Sequence, residues 1–172
     1  MQQSLWQSMK TVLLGLMVVV FLLVTSQSSA KVAEGLAPDF TLKSLSGDNF
    51  KLSEYRGRVV LINFWASWSG SSRQELPLLN ALYKRFRDKD LVMVGVNVEK
   101  DISNARSLLK DVAVSFPILM DTRNKVSALY KVDAMPSTVI VDRDGNMRYL
   151  HNGYSEGAED EYQKQVRELM RE

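Results

Sequence analysis

Two near-continuous apolar runs constrain the fold of this 172-residue chain more than any other feature. They read RVVLINFWA at 58–66 and LVMVGVNVE at 91–99. Both are rich in β-branched residues and too short for ordinary helices, so they predict buried strands. Between them, Leu76, Leu79 and Leu82 recur at helical spacing. A strand, a helix and a second strand in this order predict helices packed against a sheet, as in a layered α/β domain.

The rest of the chain adds strands and helices around these runs. Residues 40–42 and 50–52 flank a Ser-Gly-Asp-Asn turn, which predicts an early hairpin. The stretch 137–154, STVIVDRDGNMRYLHNGY, predicts two strands joined by an Asp-Gly turn. A short strand is predicted at FPILMD, and helices at DISNARSLLKDVAV, KVSALYKV and SEGAEDEYQKQVRELMRE. The pattern predicts one α/β domain with a central mixed sheet flanked by helices.

Details of the predicted helices follow from spacing and from residue type. Pro77 predicts a kink near the second turn of the helix that follows the first apolar run. Asp101 or Ser103 is the candidate N-cap of the next helix. The residues expected to face the core in the last two long helices are Ala105, Leu108, Leu109, Val112, Tyr162, Val166 and Leu169.

The first thirty residues have the pattern of an export segment. An uncharged apolar run from Val12 to Val24 follows a weakly basic start and precedes Ser28, Ser29 and Ala30. This order is typical of a secretory signal, with a retained N-terminal membrane anchor as the alternative. We therefore predict a signal peptide or anchor at 1–30, a domain at 31–172, and an extracytoplasmic, bacterial periplasmic location, either soluble or anchored.

Charge and cysteine content exclude several classes of function. The chain has 22 Lys and Arg against 20 Asp and Glu, so nothing indicates nucleic-acid binding. It has no cysteine, which excludes lipoprotein-type lipid attachment and structural disulfides. With one histidine, a metal or haem site has almost no ligands, and we predict no metal and no cofactor. The DRDG stretch at 142–145 is interpreted as a hairpin turn, not a calcium loop.

The chemistry-bearing stretch is FWASWSGSSRQELP, Phe64 to Pro77, which begins at the end of the first apolar run. A tryptophan followed by x-Gly-x-x-Arg just after a buried strand is where a redox pair of cysteines is expected, but Ser69 and Ser72 stand there. A helix N-terminus lowers the pKa of a thiol, whereas a serine hydroxyl stays protonated at neutral pH and forms no mixed disulfide.

Together with APDFTL, LSEYRGRVVLINFWASW and MPSTVIVDRDG, this stretch resembles the extracytoplasmic TlpA/ResA-like thiol-disulfide oxidoreductases of the thioredoxin superfamily. The resemblance covers nearly everything after residue 30. It implies a thioredoxin-like fold with an N-terminal β-hairpin and a central insertion. It also implies cysteines at the positions of Ser69 and Ser72, and this chain departs from the family there.

The resemblance also implies a substrate groove beside the serine pair. Pro136 matches the proline that is cis and faces the dithiol in the family, and backbone beside it can pair with an extended peptide. Asn63 stands where cytosolic thioredoxins carry a buried acid. The implied groove residues are Trp68, Gly70, Ser71, Arg73, Glu75, Met135 and Pro136.

Simpler interpretations of several of these residues remain open. Ser69 and Ser72 can be ordinary helix-start residues. Trp68 can pack in the core, although we expect Trp65 to fill the core and Trp68 to line the groove. Glu75 can be a solvated first-turn glutamate instead of an acid near the site. A serine hydrolase requires a base in reach, and His151 is expected on the surface of the late hairpin.

Two functions remain. The first is a redox-inactive, monomeric binder of an exported protein or extended peptide. The second is a thiol-disulfide oxidoreductase, for example a disulfide reductase in cytochrome c maturation, whose cysteines were replaced by serine. A peroxidase is excluded because its chemistry requires a peroxidatic thiol, and the chain has no cysteine.

Overall fold

The structure is a computed structural model that describes residues 31–32 and 35–172. The predicted export segment at 1–30 lies outside the described residues. Among the described residues, no helix combines the length and the apolar character that crossing a bilayer requires.

A six-stranded mixed sheet forms the centre of the domain. Its strands are β1 (Lys31–Val32), β4 (Val59–Trp65), β5 (Leu91–Asn97), β6 (Ile118–Met120), β7 (Ser137–Val141) and β8 (Met147–Asn152). They lie in the order β1-β8-β7-β4-β5-β6. β4, β5 and β6 are parallel, whereas β7 is antiparallel to β4, β8 to β7 and β1 to β8. The two predicted apolar runs are the central strands β4 and β5, and every residue in both is buried.

The early hairpin is confirmed as a separate two-stranded sheet. β2 (Thr41–Lys43) pairs with β3 (Asn49–Lys51), and a 3-10 turn follows at Leu52–Tyr55. This unit covers one face of the main sheet through Phe40, Phe50 and Leu52. The segment between β5 and β7 carries further elements and forms the expected central insertion.

Within residues 35–172, four α-helices complete the layers: α1 (Gly70–Phe86), α2 (Ile102–Asp111), α3 (Lys125–Leu129) and α4 (Ala158–Leu169). Asp101 caps α2 by accepting from the Ser103 N–H at 2.9 Å, which decides between the two predicted caps. α1 runs as one helix through Pro77, which lies on its exposed side. The predicted inner residues of α2 and α4 all pack in or against one core cluster.

The alternation of side chains along β4 divides the core into two layers. Val59, Leu61 and Trp65 face the layer shared with α1, α2 and α4. Val60, Ile62 and Phe64 face the layer shared with the early hairpin and α3. Because Asn63 has the parity of the first set, its amide is directed into the layer beneath α1 and α4, where the candidate site is built.

Candidate functional site

The sheet brings the end of β4 and the start of β7 to the same edge of the molecule. Phe64 pairs with Ser137, so the loop after Trp65 lies beside the segment that precedes β7. The Met135–Pro136 peptide bond there is cis. The Ser69 hydroxyl donates to the Met135 carbonyl at 3.1 Å. Two segments far apart in sequence therefore meet at the serine pair.

Ser69 is the N-cap of α1. It has an extended backbone conformation, and its Oγ accepts from the Ser72 N–H at 3.2 Å. This hydroxyl therefore satisfies one of the unpaired N–H groups of the helix start and donates its own proton to a carbonyl. A carbonyl is not a general base, so nothing here activates Ser69 as a nucleophile.

Ser72, in the first turn of α1, is completely buried, and its Oγ has no hydrogen-bond partner. A buried hydroxyl without a partner loses its hydration and gains nothing in return, a cost of about 1–3 kcal/mol. A thiol is a much weaker donor and acceptor and behaves as a small apolar group when buried. The space around residue 72 therefore suits sulfur better than oxygen.

We expect Ser72→Ala to stabilise the protein by about 1 kcal/mol, because it removes the unpartnered hydroxyl and improves helix propensity. Urea unfolding followed by circular dichroism measures the change. The matched control is Ser71→Ala in the same helical turn. Its side chain is only half-buried, so the expected gain in stability is limited to the higher helix propensity of alanine. Equal effects of the two substitutions would show that burial of the Ser72 hydroxyl carries no cost.

A row of polar groups crosses the sheet beneath α1 and α4. Asn63 on β4 lies opposite Thr138 on β7, and its Nδ2 donates to Thr138 Oγ1 at 3.0 Å. The same amide donates to Glu75 Oε2 at 2.7 Å, and the Tyr162 hydroxyl of α4 donates to Glu75 Oε1 at 2.8 Å. The solvated alternative for Glu75 is thus wrong, because α4 covers this turn of α1 and leaves the residue 1% exposed.

Burial is the main cause of the raised pKa of Glu75. Loss of solvation raises the pKa of Glu75 to about 7, although hydrogen bonds from Tyr162, Asn63 and Thr138 each act to lower it. Burial also raises the pKa of the Tyr162 hydroxyl, and the neighbouring Glu75 charge adds to that effect. Glu75 can accordingly accept or release a proton near neutral pH, one helical turn beyond Ser72.

His151 does not lie on the surface, contrary to the sequence-based expectation. It is 2% exposed, because β8 is an inner strand of the sheet and α4 packs over this part of it. Its Nε2 hydrogen-bonds Gln165 Oε1 at 2.8 Å, and its ring meets the Tyr162 ring edge-on at 4.7 Å between centroids. His151 is therefore a core residue held by α4, and it makes no hydrogen bond to Ser69.

The two tryptophans of the 64–77 stretch differ as expected. Trp65 at the end of β4 is fully buried, whereas Trp68 is 69% exposed beside the serine pair. Its loop is held by Glu99, whose carboxylate accepts from the Ser67 N–H and from the Ser67 hydroxyl, both at 2.7 Å. This role of Glu99 was not predicted from the sequence, where the only signal is an acidic residue directly after a buried strand.

The other predicted groove residues divide into two groups. Gly70 and Ser71 lie at the exposed or half-exposed start of α1, and Met135 is half-buried next to Ser69. Arg73 points elsewhere: its guanidinium lies 3.9 Å from the Asp111 carboxylate, with both side chains largely exposed. Arg73 is thus not brought to the serine pair, and such an exposed pair contributes little to stability.

A pocket of about 410 Å³ opens beside Trp68, between α3 and the segment before Pro136. No group of three or more potential metal-ligating side chains occurs in the part of the chain that the structure describes. The DRDG stretch forms a turn in which Asp142 accepts from the Asn146 N–H at 2.8 Å and lies 3.3 Å from Arg148. The Asp142 carboxylate therefore stabilises the turn between β7 and β8.

The sequence matches the AhpC/TSA family over residues 34–150. Among similar proteins, the thioredoxin-like protein YneN of Bacillus subtilis is 39% identical over 132 residues, which cover 74% of this chain and 76% of YneN. The thiol-disulfide oxidoreductase ResA of Geobacillus kaustophilus is 30% identical over 128 residues, which cover 74% of each chain.

Solved structures show the same likeness in three dimensions. A protein of Chlorobium tepidum, provisionally identified as the thiol:disulfide interchange protein DsbE, superposes with a TM-score of 0.76 at 30% identity and covers 83% of this chain and 99% of its own. The exposed lipoprotein thioredoxin of Streptococcus pneumoniae superposes with a TM-score of 0.69 at 26% identity, covering 77% and 100%.

Proposed function

Because the chain belongs to the AhpC/TSA family of thioredoxin-like proteins, we propose that it is a redox-inactive member that binds extended segments of exported proteins. Disulfide exchange proceeds through a mixed disulfide, and oxygen at residues 69 and 72 cannot form one. The surface that would hold a partner does not depend on sulfur.

One observation carries the binding role: an exposed indole and a backbone N–H without a partner lie at the same pocket. Trp68 is 69% exposed, and the Met135 N–H donates no hydrogen bond to any residue that the structure describes. Pro136 has no N–H. An extended peptide can therefore pair with this segment as an added strand while Trp68 supplies apolar contact.

We also propose that the protein is exported, monomeric, and either released or held by its N-terminal segment. The support is the signal-like pattern of 1–30 and the similarity to an exposed lipoprotein thioredoxin. β1 pairs with β8 so that Lys31 lies opposite Leu150, toward the end of β8 that neighbours Ser137. The first described residue, Lys31, thus lies toward the side of the sheet that carries the serine pair.

The binding role is tested by titrating reduced, carboxymethylated ribonuclease A, an unfolded exported protein, and measuring the heat of binding by isothermal titration, which does not depend on Trp68 as a reporter. We expect Kd values no tighter than about 1 μM, because ordering a flexible segment offsets much of the contact energy. Trp68→Ala should weaken binding at least about tenfold. Leu36→Ala is the matched control, since Leu36 is 70% exposed at the opposite end of the sheet and should have no effect.

Pro136→Ala provides a second variant on the backbone side of the groove, with its folding checked by circular dichroism. The binding role is wrong if the intact chain does not bind, or if binding survives both the Trp68 and the Pro136 substitutions unchanged.

A second candidate is a thiol-disulfide oxidoreductase, for example a disulfide reductase in cytochrome c maturation, in which serine has replaced both cysteines. The unpartnered hydroxyl of Ser72 favours it, because that buried space suits a thiol. Glu75 favours it as well, since an acid with a pKa near 7 can serve a thiol but has no evident use beside a hydroxyl. Restoring both cysteines tests whether the surroundings of the serine pair still support thiol chemistry, which this candidate requires.

A further inference from the structure

The pocket beside Trp68 has the properties of a side-chain subsite. We propose that this pocket receives an aromatic side chain of the bound segment, and that the next residue of that segment is basic and pairs with Asp133 at the rim. This inference rests on the proposed binding role. The lining residues come from the Trp68 loop, the end of β5, α3 and the segment before Pro136; they are Trp68, Val98, Asn124, Ser127, Ala128, Val132, Asp133, Ala134 and Met135.

Size and position favour a large apolar side chain. The pocket is open to solvent and has a volume of about 410 Å³, which leaves room for a large side chain. One wall is the exposed indole of Trp68, which can pack against another ring. The pocket also touches Met135, whose N–H is available for strand pairing, so a paired peptide would carry a side chain directly past the opening.

Hydrogen bonding inside the protein makes the floor of the pocket a poor site for polar groups. The Ser127 hydroxyl donates to Asp121 Oδ2 at 2.9 Å, and the Ser127 N–H donates to the same atom at 2.8 Å. With its amide oriented to satisfy its neighbours, Asn124 donates to the Val98 carbonyl at 2.6 Å. A polar side chain that entered here would lose water and find few replacement partners, whereas an apolar one would gain from burial.

The charge of Asp133 at the rim of the pocket favours a basic residue over an acidic one next to the aromatic residue of the bound peptide. Asp133 is exposed and forms no ion pair with any residue in the described part of the chain. Adjacent residues of an extended peptide point to opposite sides, and a long basic side chain can reach back to a rim carboxylate. A lysine or arginine after the aromatic residue would therefore be attracted, and an acidic residue repelled.

Three ten-residue Gly/Ser peptides with different central pairs test this proposal: Phe-Arg, Ala-Arg and Phe-Glu. By isothermal titration, Phe-Arg should bind about tenfold tighter than Ala-Arg, because burying the ring removes its apolar surface from water. Phe-Glu should bind several-fold more weakly than Phe-Arg at low salt, with the difference reduced at 1 M salt because screening is then strong.

Matched variants place the effect in the pocket. Ala128→Phe fills the pocket from the exposed face of α3 and should abolish the preference for Phe-Arg over Ala-Arg. Leu129→Phe changes the neighbouring exposed residue, which does not line the pocket, and should leave the preference intact. Asp133→Asn should abolish the preference for Arg over Glu.

Each outcome supports or overturns the proposal. If Phe-Arg and Ala-Arg bind the intact chain equally, or if both phenylalanine variants act alike, the pocket is not the subsite, although strand pairing at Met135 still stands. If no peptide binds at all, the binding role and the subsite are both wrong. Equal binding of Phe-Arg and Phe-Glu at low salt overturns the role of Asp133 alone.

Discussion

Replacing Ser69 and Ser72 together by cysteine is expected to give a chain that exchanges disulfides with turnover. The N-terminus of α1 lies at residue 69, where its unpaired N–H groups and dipole lower the pKa of a thiol. The resulting thiolate attacks a substrate disulfide and forms a mixed disulfide, with one substrate sulfur leaving as a thiolate. The second cysteine then displaces the remaining substrate sulfur and closes an intramolecular disulfide.

The structure retains the surroundings that this reaction needs. The residue 72 position is buried and offers no hydrogen-bond partner, so a thiol fits there at less cost than the present hydroxyl. Glu75 lies one turn away with a pKa near 7 and can take up or supply the proton that accompanies exchange. Arg73 pairs with Asp111 and is not needed in this account.

Reduction of insulin by dithiothreitol, followed by turbidity, measures the activity, with the unmodified chain as the blank. The single variant Ser69→Cys should instead accumulate mixed disulfides with partners, because no resolving thiol follows. A double variant that folds, as judged by circular dichroism, but shows no exchange would mean that the surroundings of the serine pair no longer support thiol chemistry.

The second large effect is on stability as a function of pH. Glu75 has a folded pKa of about 7 and a reference value of 4.5, so the folded state holds a proton that the unfolded state has released between these values. Stability is therefore lost as pH rises through this window. The difference, 7 minus 4.5, corresponds to about 3 kcal/mol once Glu75 is fully ionised.

Glu75→Gln stays neutral at every pH and should remove this loss. Its amide can still accept from Asn63, and the hydroxyls of Tyr162 and Thr138 can rotate to accept from it. Urea unfolding should show the variant close to the parent at pH 4.5 and more stable by about 2–3 kcal/mol at pH 8.5. The exposed Glu168→Gln on α4 is the control and should show no such trend. If the difference in stability between the parent and Glu75→Gln is the same at pH 8.5 as at pH 4.5, the pKa of Glu75 is not elevated.

Much of the candidate site could be anticipated from the sequence because its parts are local. Ser69 lies directly after a buried strand and before an amphipathic helix, which identifies it as a helix start whatever the rest of the chain does. Trp65 belongs to that strand and Trp68 to the loop beyond it, which is why one is buried and the other is exposed. The absence of sulfur at residues 69 and 72 is read directly from the sequence.

The polar row beneath α1 and α4 could not be anticipated in the same way. Asn63, Thr138 and His151 come from three strands, and they meet only because the register of β4, β7 and β8 aligns them. Whether Glu75 and His151 are solvated depends on α4, whose placement over β8 and over the first turns of α1 is decided by long-range packing. Local pattern carries no information on that placement.

The sequence by itself determined the α/β layering, the approximate strand and helix positions, the serine pair and the absence of sulfur from it, because periodicity and residue chemistry are local properties. Only the tertiary structure decided that Glu75 is buried and holds its proton to near neutral pH, that Arg73 turns away, and that a pocket opens between Trp68 and α3. These properties depend on desolvation and on the shape between elements distant in sequence, and both arise only when those elements pack together.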